Sequence, residues 1–343
     1  MKALSIRNLV TKVNTFTLGP INLDVDANEY YIISGPNGSG KTTLLKTILG
    51  FYRPLSGKIM LYDKDITYMP IEKRRIGYVT QNYSLFNNMD VKANIEYGLK
   101  MLKLNKQERE RKVKEIASTL KIENLLNKKP KELSMGQQQL VSIARALVIE
   151  PKVLLLDEPL SNLDPNVKRN LREILRIIVR SKTTTIIHIS HFIEDAFELS
   201  TKMGFMYKGK IIEEGDPIEM INNPKTKEFS EYLGYSNIIL LNNVDSEIKN
   251  ILNEIDFRND FIKDNYLVFR PEDAIICKNK CCKNSLEGEI EEINITERGF
   301  NYKVKTKSHD FVIFSKDIFK ENDIVNICID AKRLKIVKSV EEI

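Results

Sequence analysis

Tyr30-Tyr31-Ile32-Ile33-Ser34-Gly35-Pro36-Asn37-Gly38-Ser39-Gly40-Lys41-Thr42-Thr43 decides the fold class of this chain. The apolar run Tyr30–Ile33 reads as a strand buried on both faces, as in a parallel sheet. Leu44, Leu45, Ile48 and Leu49 then recur with the spacing of one helix face. A glycine-rich loop between such a strand and such a helix is a phosphate cradle. Its glycines let successive backbone N–H groups turn inward, and the helix N-terminus points at the anion. Gly35, Pro36, Asn37, Gly38, Ser39, Gly40 and Thr43 form that cradle, Lys41 reaches the β- and γ-phosphates, and the Thr42 hydroxyl is a ligand for Mg²⁺. A loop that merely closes a strand–helix junction would not need the full nine-residue pattern.

A second buried strand is read at Val153-Leu154-Leu155-Leu156, ending in Asp157-Glu158-Pro159. Alternation along a strand sends those two carboxylates in different directions. Between the two strands lies Leu133-Ser134-Met135-Gly136-Gln137, with 93 residues from Lys41 to Ser134. In this order and spacing the chain resembles the ATP-binding cassette family of ATPases.

The resemblance implies an α/β P-loop NTPase: a RecA-like core with a helical subdomain, binding ATP and Mg²⁺. It implies that Asp157 binds Mg²⁺, that Glu158 polarises the attacking water, and that Gln81 senses both while linking the core to the helical subdomain. His191, in Ile189-Ser190-His191-Phe192, matches the switch histidine at the γ-phosphate. Ser134, Gly136 and Gln137 would meet the nucleotide of a second subunit, and Ser161-Asn162-Leu163-Asp164 would communicate between subunits, so the resemblance implies a homodimer with shared sites. Phe16 stands where the family stacks an aromatic ring on adenine, or else packs as an edge-strand residue. His188, inside Thr185–Ile189, reads as core packing rather than chemistry. Two positions depart from the family pattern. Met135 replaces the first signature glycine, and Leu140 stands where a basic residue is common. Met135 cannot easily take a positive φ, which puts the rate of the site in question.

Periodicity places a mostly helical stretch at about residues 85–150, where Val113, Ile116, Ala117 and Leu120 share a face, as do Leu140, Ile143, Ala144 and Leu147. Asp164-Pro165 reads as an N-cap followed by proline at the first helical position. The nucleotide-binding domain is expected over 1–232. Beyond about residue 233, alternating segments such as Tyr302-Lys303-Val304-Lys305-Thr306 predict a small all-β domain over 233–343. Introduced by Arg270-Pro271-Glu272-Asp273, this tail resembles the oligonucleotide-binding-fold-like TOBE barrel attached to the ATPases of several importers. Lys283-Asn284-Ser285-Leu286-Glu287-Gly288 is similar to the molybdate-binding version, with Lys283, Asn284 and Ser285 as donors to a tetrahedral oxyanion. Cys281 stands where that motif has a serine, and an ordinary barrel turn remains the alternative.

The 343 residues suffice for two domains. The excess of 53 basic over 47 acidic residues, +6, is too mild to imply nucleic-acid binding, and the basic cluster between Lys103 and Lys114 is interleaved with Glu108 and Glu110. No apolar run approaches the length of a membrane span, and no secretory leader is read. Cys277, Cys281, Cys282 and Cys328 lack paired CxxC spacing, so reduced, unligated thiols are expected. The combined reading is the ATP-hydrolysing subunit of an importer for molybdate or tungstate, peripheral at the cytoplasmic face of the membrane. Its partners would be two integral membrane permease subunits and a periplasmic or extracellular substrate-binding protein, with oxyanion-dependent regulation by the tail. Importers of sulfate, ferric iron, polyamines or sugars are the alternative, followed by a soluble non-transport ATPase of the same family.

Overall fold

A computed structural model describes residues 1–161, 163–181, 184–252 and 265–340. The chain divides into two compact units, Met1–Ile218 and Glu219–Ile343. The division falls earlier than the expected 232/233. Residues from 219 onward belong with the tail because Glu228 accepts hydrogen bonds from Ser339 Oγ and the Val340 N–H.

In the first unit, β1 (Lys2–Val13), β2 (Phe16–Asp26), β3 (Tyr30–Ser34), α1 (Lys41–Leu49), β4 (Ser56–Leu61), β5 (Lys64–Asp65) and β6 (Ile76–Val79) precede the helical segment. That segment contains α2 (Val91–Met101), α3 (Lys106–Thr119) and α4 (Met135–Leu147). Then follow β7 (Val153–Asp157), α5 (Pro165–Arg180), β8 (Thr185–Ile189), α6 (Ile193–Leu199), β9 (Lys202–Tyr207) and β10 (Lys210–Gly215). Among the described residues, one sheet has the order β10-β9-β3-β8-β7-β6, parallel from β9 to β6, with β10 antiparallel at its edge. A smaller antiparallel sheet has the order β2-β1-β4-β5. Leu44, Leu45 and Ile48 of α1 join Leu4 and Ile6 of β1 with Leu155 and Ile187 of the parallel sheet in one buried core. The apolar face of α1 therefore ties the two sheets together.

Strands β3, β7 and β8 are buried along their whole length, which is why they read as unbroken apolar runs. The helices of the middle segment carry the start signals that their sequences hold. Asp90 accepts from the Ala93 N–H, and Asn105 with Glu108 forms a capping box. Asp164 accepts from the Asn166 and Val167 N–H groups, and Leu171, Ile174, Leu175 and Ile178 of α5 face inward. Arg172 of α5 pairs with the buried Asp195 of α6 at 2.6 Å.

The second unit takes in α7 (Pro217–Asn222) from Glu219 onward. It continues with α8 (Lys227–Tyr232), β11 (Asn237–Leu240), α9 (Ser246–Leu252), β12 (Asn265–Phe269), β13 (Ala274–Cys277), β14 (Leu286–Thr296), β15 (Gly299–Thr306), β16 (Asp310–Ser315), β17 (Ile324–Ile329) and β18 (Lys335–Lys338). It has two antiparallel sheets among the described residues, β11-β12-β18 and β13-β17-β14-β15-β16. Phe269, Tyr302, Val304, Phe311 and Ile313 fill the core beneath them together with Ile248 and Ile251 of α9. The unit is thus a β domain with helical additions rather than strands alone.

The cysteines depart from expectation. Cys277 is bonded to Cys281 and Cys282 to Cys328, and no free cysteine occurs among the described residues. Sequence spacing could not reveal the Cys282–Cys328 pair, because strand order brings those two together. In the sheet, β17 lies between β13 and β14. The loop from β13 to β14 must therefore cross β17, and it carries Cys281 and Cys282 onto Cys328.

Candidate functional site

The phosphate loop, Gln81, Asp157, Glu158 and His191 all follow the C-terminal ends of neighbouring strands in the order β3-β8-β7-β6. Open parallel sheets place their ligands there. Gly40 adopts φ 104° and Gly38 φ 81°, the left-handed region that a side chain disfavours. A Cβ on Gly40 would also lie 2.8 Å from Cζ of Phe16, so the Phe16 ring sits directly against the loop.

Lys41 is buried, and its Nζ donates to the carbonyls of Gly35 at 2.8 Å and Pro36 at 2.9 Å. Burial holds its pKa below the ordinary lysine value, against the pull of Glu158 and Asp157. Ser39 Oγ is buried without a hydrogen-bond partner. A desolvated ammonium and an orphaned hydroxyl at the mouth of an inward-turned loop fit a bound polyphosphate.

Asp157 is buried at the end of β7. Its Oδ1 accepts from Thr42 Oγ1 at 3.0 Å and its Oδ2 from the Tyr78 hydroxyl at 3.1 Å. Burial raises its pKa, which the two hydrogen bonds partly oppose. Tyr78 escaped the sequence reading. The signal was its register: Tyr78 is opposite Leu155, which shares a face with Asp157 by the two-residue period of the strand. The oxygens of Thr42 and Asp157 suit a hard cation such as Mg²⁺.

Glu158 leaves the strand with φ 50°, unusual for a residue other than glycine and a form of local strain found at functional sites. Its Oε2 accepts from Gln81 Nε2 at 3.2 Å and lies 3.4 Å from His191 Nδ1. Gln81 and His191, from two neighbouring strand ends, thus converge on one carboxylate oxygen of Glu158. His188, by contrast, is wholly buried, with Nδ1 2.9 Å from the Tyr30 hydroxyl, and desolvation lowers its pKa to about 4. It belongs to the core, as its strand position predicts.

The loop after Gln81 is held from the helical side. Ser142 Oγ of α4 donates to the Tyr83 carbonyl at 2.9 Å, and Arg145 Nη1 to that of Ser84 at 2.7 Å. Sequence reading passed over both donors because they sit inside an ordinary amphipathic helix. At the other end of α4, Ser134 is the N-cap in a reciprocal capping box with Gln137. Met135 is half exposed there, and Gly136 is buried, where a Cβ would meet Val167 Cγ1 of α5 at 2.4 Å. Asp164 caps α5, while Asn162 lies outside the described residues.

In the second unit, Lys283 and Asn284 line a cleft of about 470 Å³ with Cys282, Arg333, Asp273 and Asp330. Ser285 lies beside them and donates its hydroxyl to Asn326 Oδ1 at 3.2 Å.

The family described as ABC transporter matches residues 18–161. A Methanocaldococcus jannaschii protein named Molybdate/tungstate import ATP-binding protein WtpC is 39% identical over 277 residues, covering 78% of this chain and 92% of that protein. The chain belongs to the ABC transporter family. The Pyrococcus horikoshii protein of the same name is 42% identical over 236 residues, 69% of this chain and 68% of its own length. A Nephroselmis olivacea protein named Sulfate/thiosulfate import ATP-binding protein CysA is 38% identical over 236 residues, 68% of this chain and 69% of that protein. Among solved structures, a protein described as cbiO1 from Clostridium perfringens, part of the ABC transporter complex cbiONQ, matches with a TM-score of 0.61 and 32% identity. It covers 67% of this chain and 93% of that one. As an ABC ATPase, the chain binds ATP and couples its hydrolysis to transport.

Proposed function

We propose that the chain is the ATP-hydrolysing subunit of an importer for molybdate or tungstate. In this reading it acts as a Mg²⁺-dependent homodimer at the cytoplasmic face of the membrane, beneath two permease subunits served by a substrate-binding protein. The observation that carries the substrate is the similarity to molybdate/tungstate import ATP-binding proteins, at 39% identity across 92% of one such relative. The sulfate/thiosulfate relative at 38% identity favours sulfate as a second reading. No helix of the described residues is long and apolar enough to cross a membrane, which fits a peripheral subunit.

The site supports a division of labour. Lys41 and the loop amides hold the phosphates, and Thr42 with Asp157 holds the cation, which when bound would neutralise charge on the transferring phosphoryl group. Glu158 accepts the proton of the attacking water, Gln81 and His191 orient its carboxylate, and Phe16 offers its ring to the base. Ser134, Gly136, Gln137 and Asp164 form no part of the cluster around Lys41 described above, and their roles belong to the facing subunit. Lys283, Asn284 and Ser285 are the candidate oxyanion donors of the tail, which we assign to a TOBE-type domain. Asp273 and Asp330 in the same cleft weaken anion binding there, so regulation by the tail is a subordinate part of the reading.

Uptake by the reconstituted transporter tests the substrate. Molybdate or tungstate should stimulate ATP hydrolysis and accumulate inside vesicles, whereas sulfate should do neither. Stimulation by sulfate alone would replace this reading with the second.

A further inference from the structure

Three sulfurs from the end of β13 and the loop after it converge with a fourth from β17 on one patch. Ile275 of β13 is the cross-strand partner of Cys328 on β17, and Cys277 is two residues further on, so Cys277 and Cys328 share a sheet face. The loop between β13 and β14 lays Cys281 and Cys282 over that face. Besides the two bonded pairs, Cys281 Sγ is 3.2 Å from Cys328 Sγ, and the Cα separations across the pairs are 6.3 and 6.0 Å. Cys281 is exposed and the other three are half-buried, so reductant and ions reach the cluster.

We propose that Cys277, Cys281, Cys282 and Cys328 are the ligands of a tetrathiolate site for one Zn²⁺-class divalent cation, which exists when both disulfides are reduced. The geometry is close to what such a cation needs. Zn–S bonds of about 2.3 Å in a tetrahedron place the sulfurs ~3.8 Å apart, near the separation that Cys281 and Cys328 already have. Soft thiolates select zinc over the Mg²⁺ of the nucleotide site. Charge supports the assignment independently. Four thiolates and one divalent cation carry a net charge of minus two, and Lys278, Lys280 and Lys283 all lie in the loop that bears Cys281 and Cys282. Nearby ammonium groups lower thiol pKa values and stabilise the charged complex. In the disulfide form the sulfurs are not ligands, and among the described residues no cluster of His, Cys, Asp or Glu is then arranged to hold a metal.

The exchange balances. Each disulfide takes two electrons and two protons from one equivalent of a dithiol reductant, which leaves as its own disulfide. Four thiols result, and binding of the cation releases their four protons. Binding would fix the loop that carries Lys283 and Asn284 on β17 in the reduced state, as the disulfides do in the oxidised one. Nothing in this inference depends on the transport reading, since metal content is measured without substrate or permease.

The test uses the full chain, reduced with a dithiol under anaerobic conditions, exposed to Zn²⁺ and freed of excess metal. About one zinc per chain should remain, the four thiols should be shielded from thiol reagents, and Co²⁺ in its place should show tetrahedral ligand-field bands with thiolate charge transfer. The double variant Cys282→Ser, Cys328→Ser should lose the zinc while still binding ATP, which shows that its first unit is folded. Four reactive thiols with no retained zinc would overturn the proposal. So would disulfides that resist the dithiol, or equal zinc retention by the double variant.

Discussion

The Thr42 hydroxyl donates to Asp157 Oδ1 across 3.0 Å, joining the first turn of the helix after the phosphate loop to the end of β7. Between β7 and β3, the strand that leads into the phosphate loop, stands β8, so the contact bridges a sheet position rather than an adjacent pair. A hard cation placed here would take both oxygens as ligands, and the direct hydrogen bond would give way to two metal–oxygen contacts.

Asp157→Asn therefore keeps a hydrogen-bond acceptor for Thr42 but loses the charge that a cation needs. Mg²⁺-dependent phosphate release should fall at least about 10²-fold. Nucleotide binding in the absence of Mg²⁺ should be much less affected. Steady-state hydrolysis measured across a Mg²⁺ titration decides it, and an unchanged Mg²⁺ dependence would remove Asp157 from the metal site.

Glu158→Gln retains the size and one acceptor oxygen but cannot take a proton. Turnover should drop about 10²-fold or more, while ATP binding persists and the closed dimer accumulates. Size-exclusion chromatography with ATP should show that dimer. A monomer with near wild-type hydrolysis would disprove the role given to Glu158.

Ser134→Arg puts a bulky cation at the N-terminus of α4, where it should obstruct the facing subunit's nucleotide. Mixed with Lys41→Ala chains, it forms heterodimers in which one site lacks both halves and the other is intact. Partial hydrolysis, above that of either variant alone, is expected. Inactivity of proven heterodimers would mean that the two sites cannot fire singly, or that they are not shared.

His188 links stability to pH. Its folded pKa of about 4 lies below the ordinary value of 6.5, so the buried ring stays neutral while the unfolded chain takes up a proton. Stability from this group is complete above pH ~6.5 and is lost as pH falls toward ~4, by about 3 kcal/mol in all. His188→Gln can still pair with Tyr30 but does not titrate. Urea unfolding of this variant at about pH 7.5 and about pH 5 should show a pH-dependent loss smaller than wild type by roughly 2 kcal/mol. Equal losses would assign the acid sensitivity elsewhere.

What was legible in the sequence was local. The loop Gly35–Thr43, the paired carboxylates Asp157 and Glu158 and the position of His191 each follow a buried strand, so strand recognition alone put them at one sheet edge. Capping by Asp164 was equally local. Tyr78, Ser142 and Arg145 were not legible, because their roles depend on strand register and on which carbonyls a neighbouring loop presents. The cysteine cluster is the sharpest case. Cys277, Cys281 and Cys282 lie within six residues, but Cys328 joins them only because the order β13-β17-β14 folds their loop across the middle strand.

Helix α4 is capped by the signature residue Ser134 and, further along, grips the carbonyls of Tyr83 and Ser84 through Ser142 and Arg145. Only Asn82 separates that grip from Gln81, whose amide holds Glu158. One short rod thus has a sensor at its tip and a handle on the catalytic carboxylate partway down its length. If a facing subunit's nucleotide docks against Ser134 as proposed, a push on that tip would be carried along the rod to the Gln81 loop, and each site would register the occupancy of its opposite without any contact between the two nucleotides.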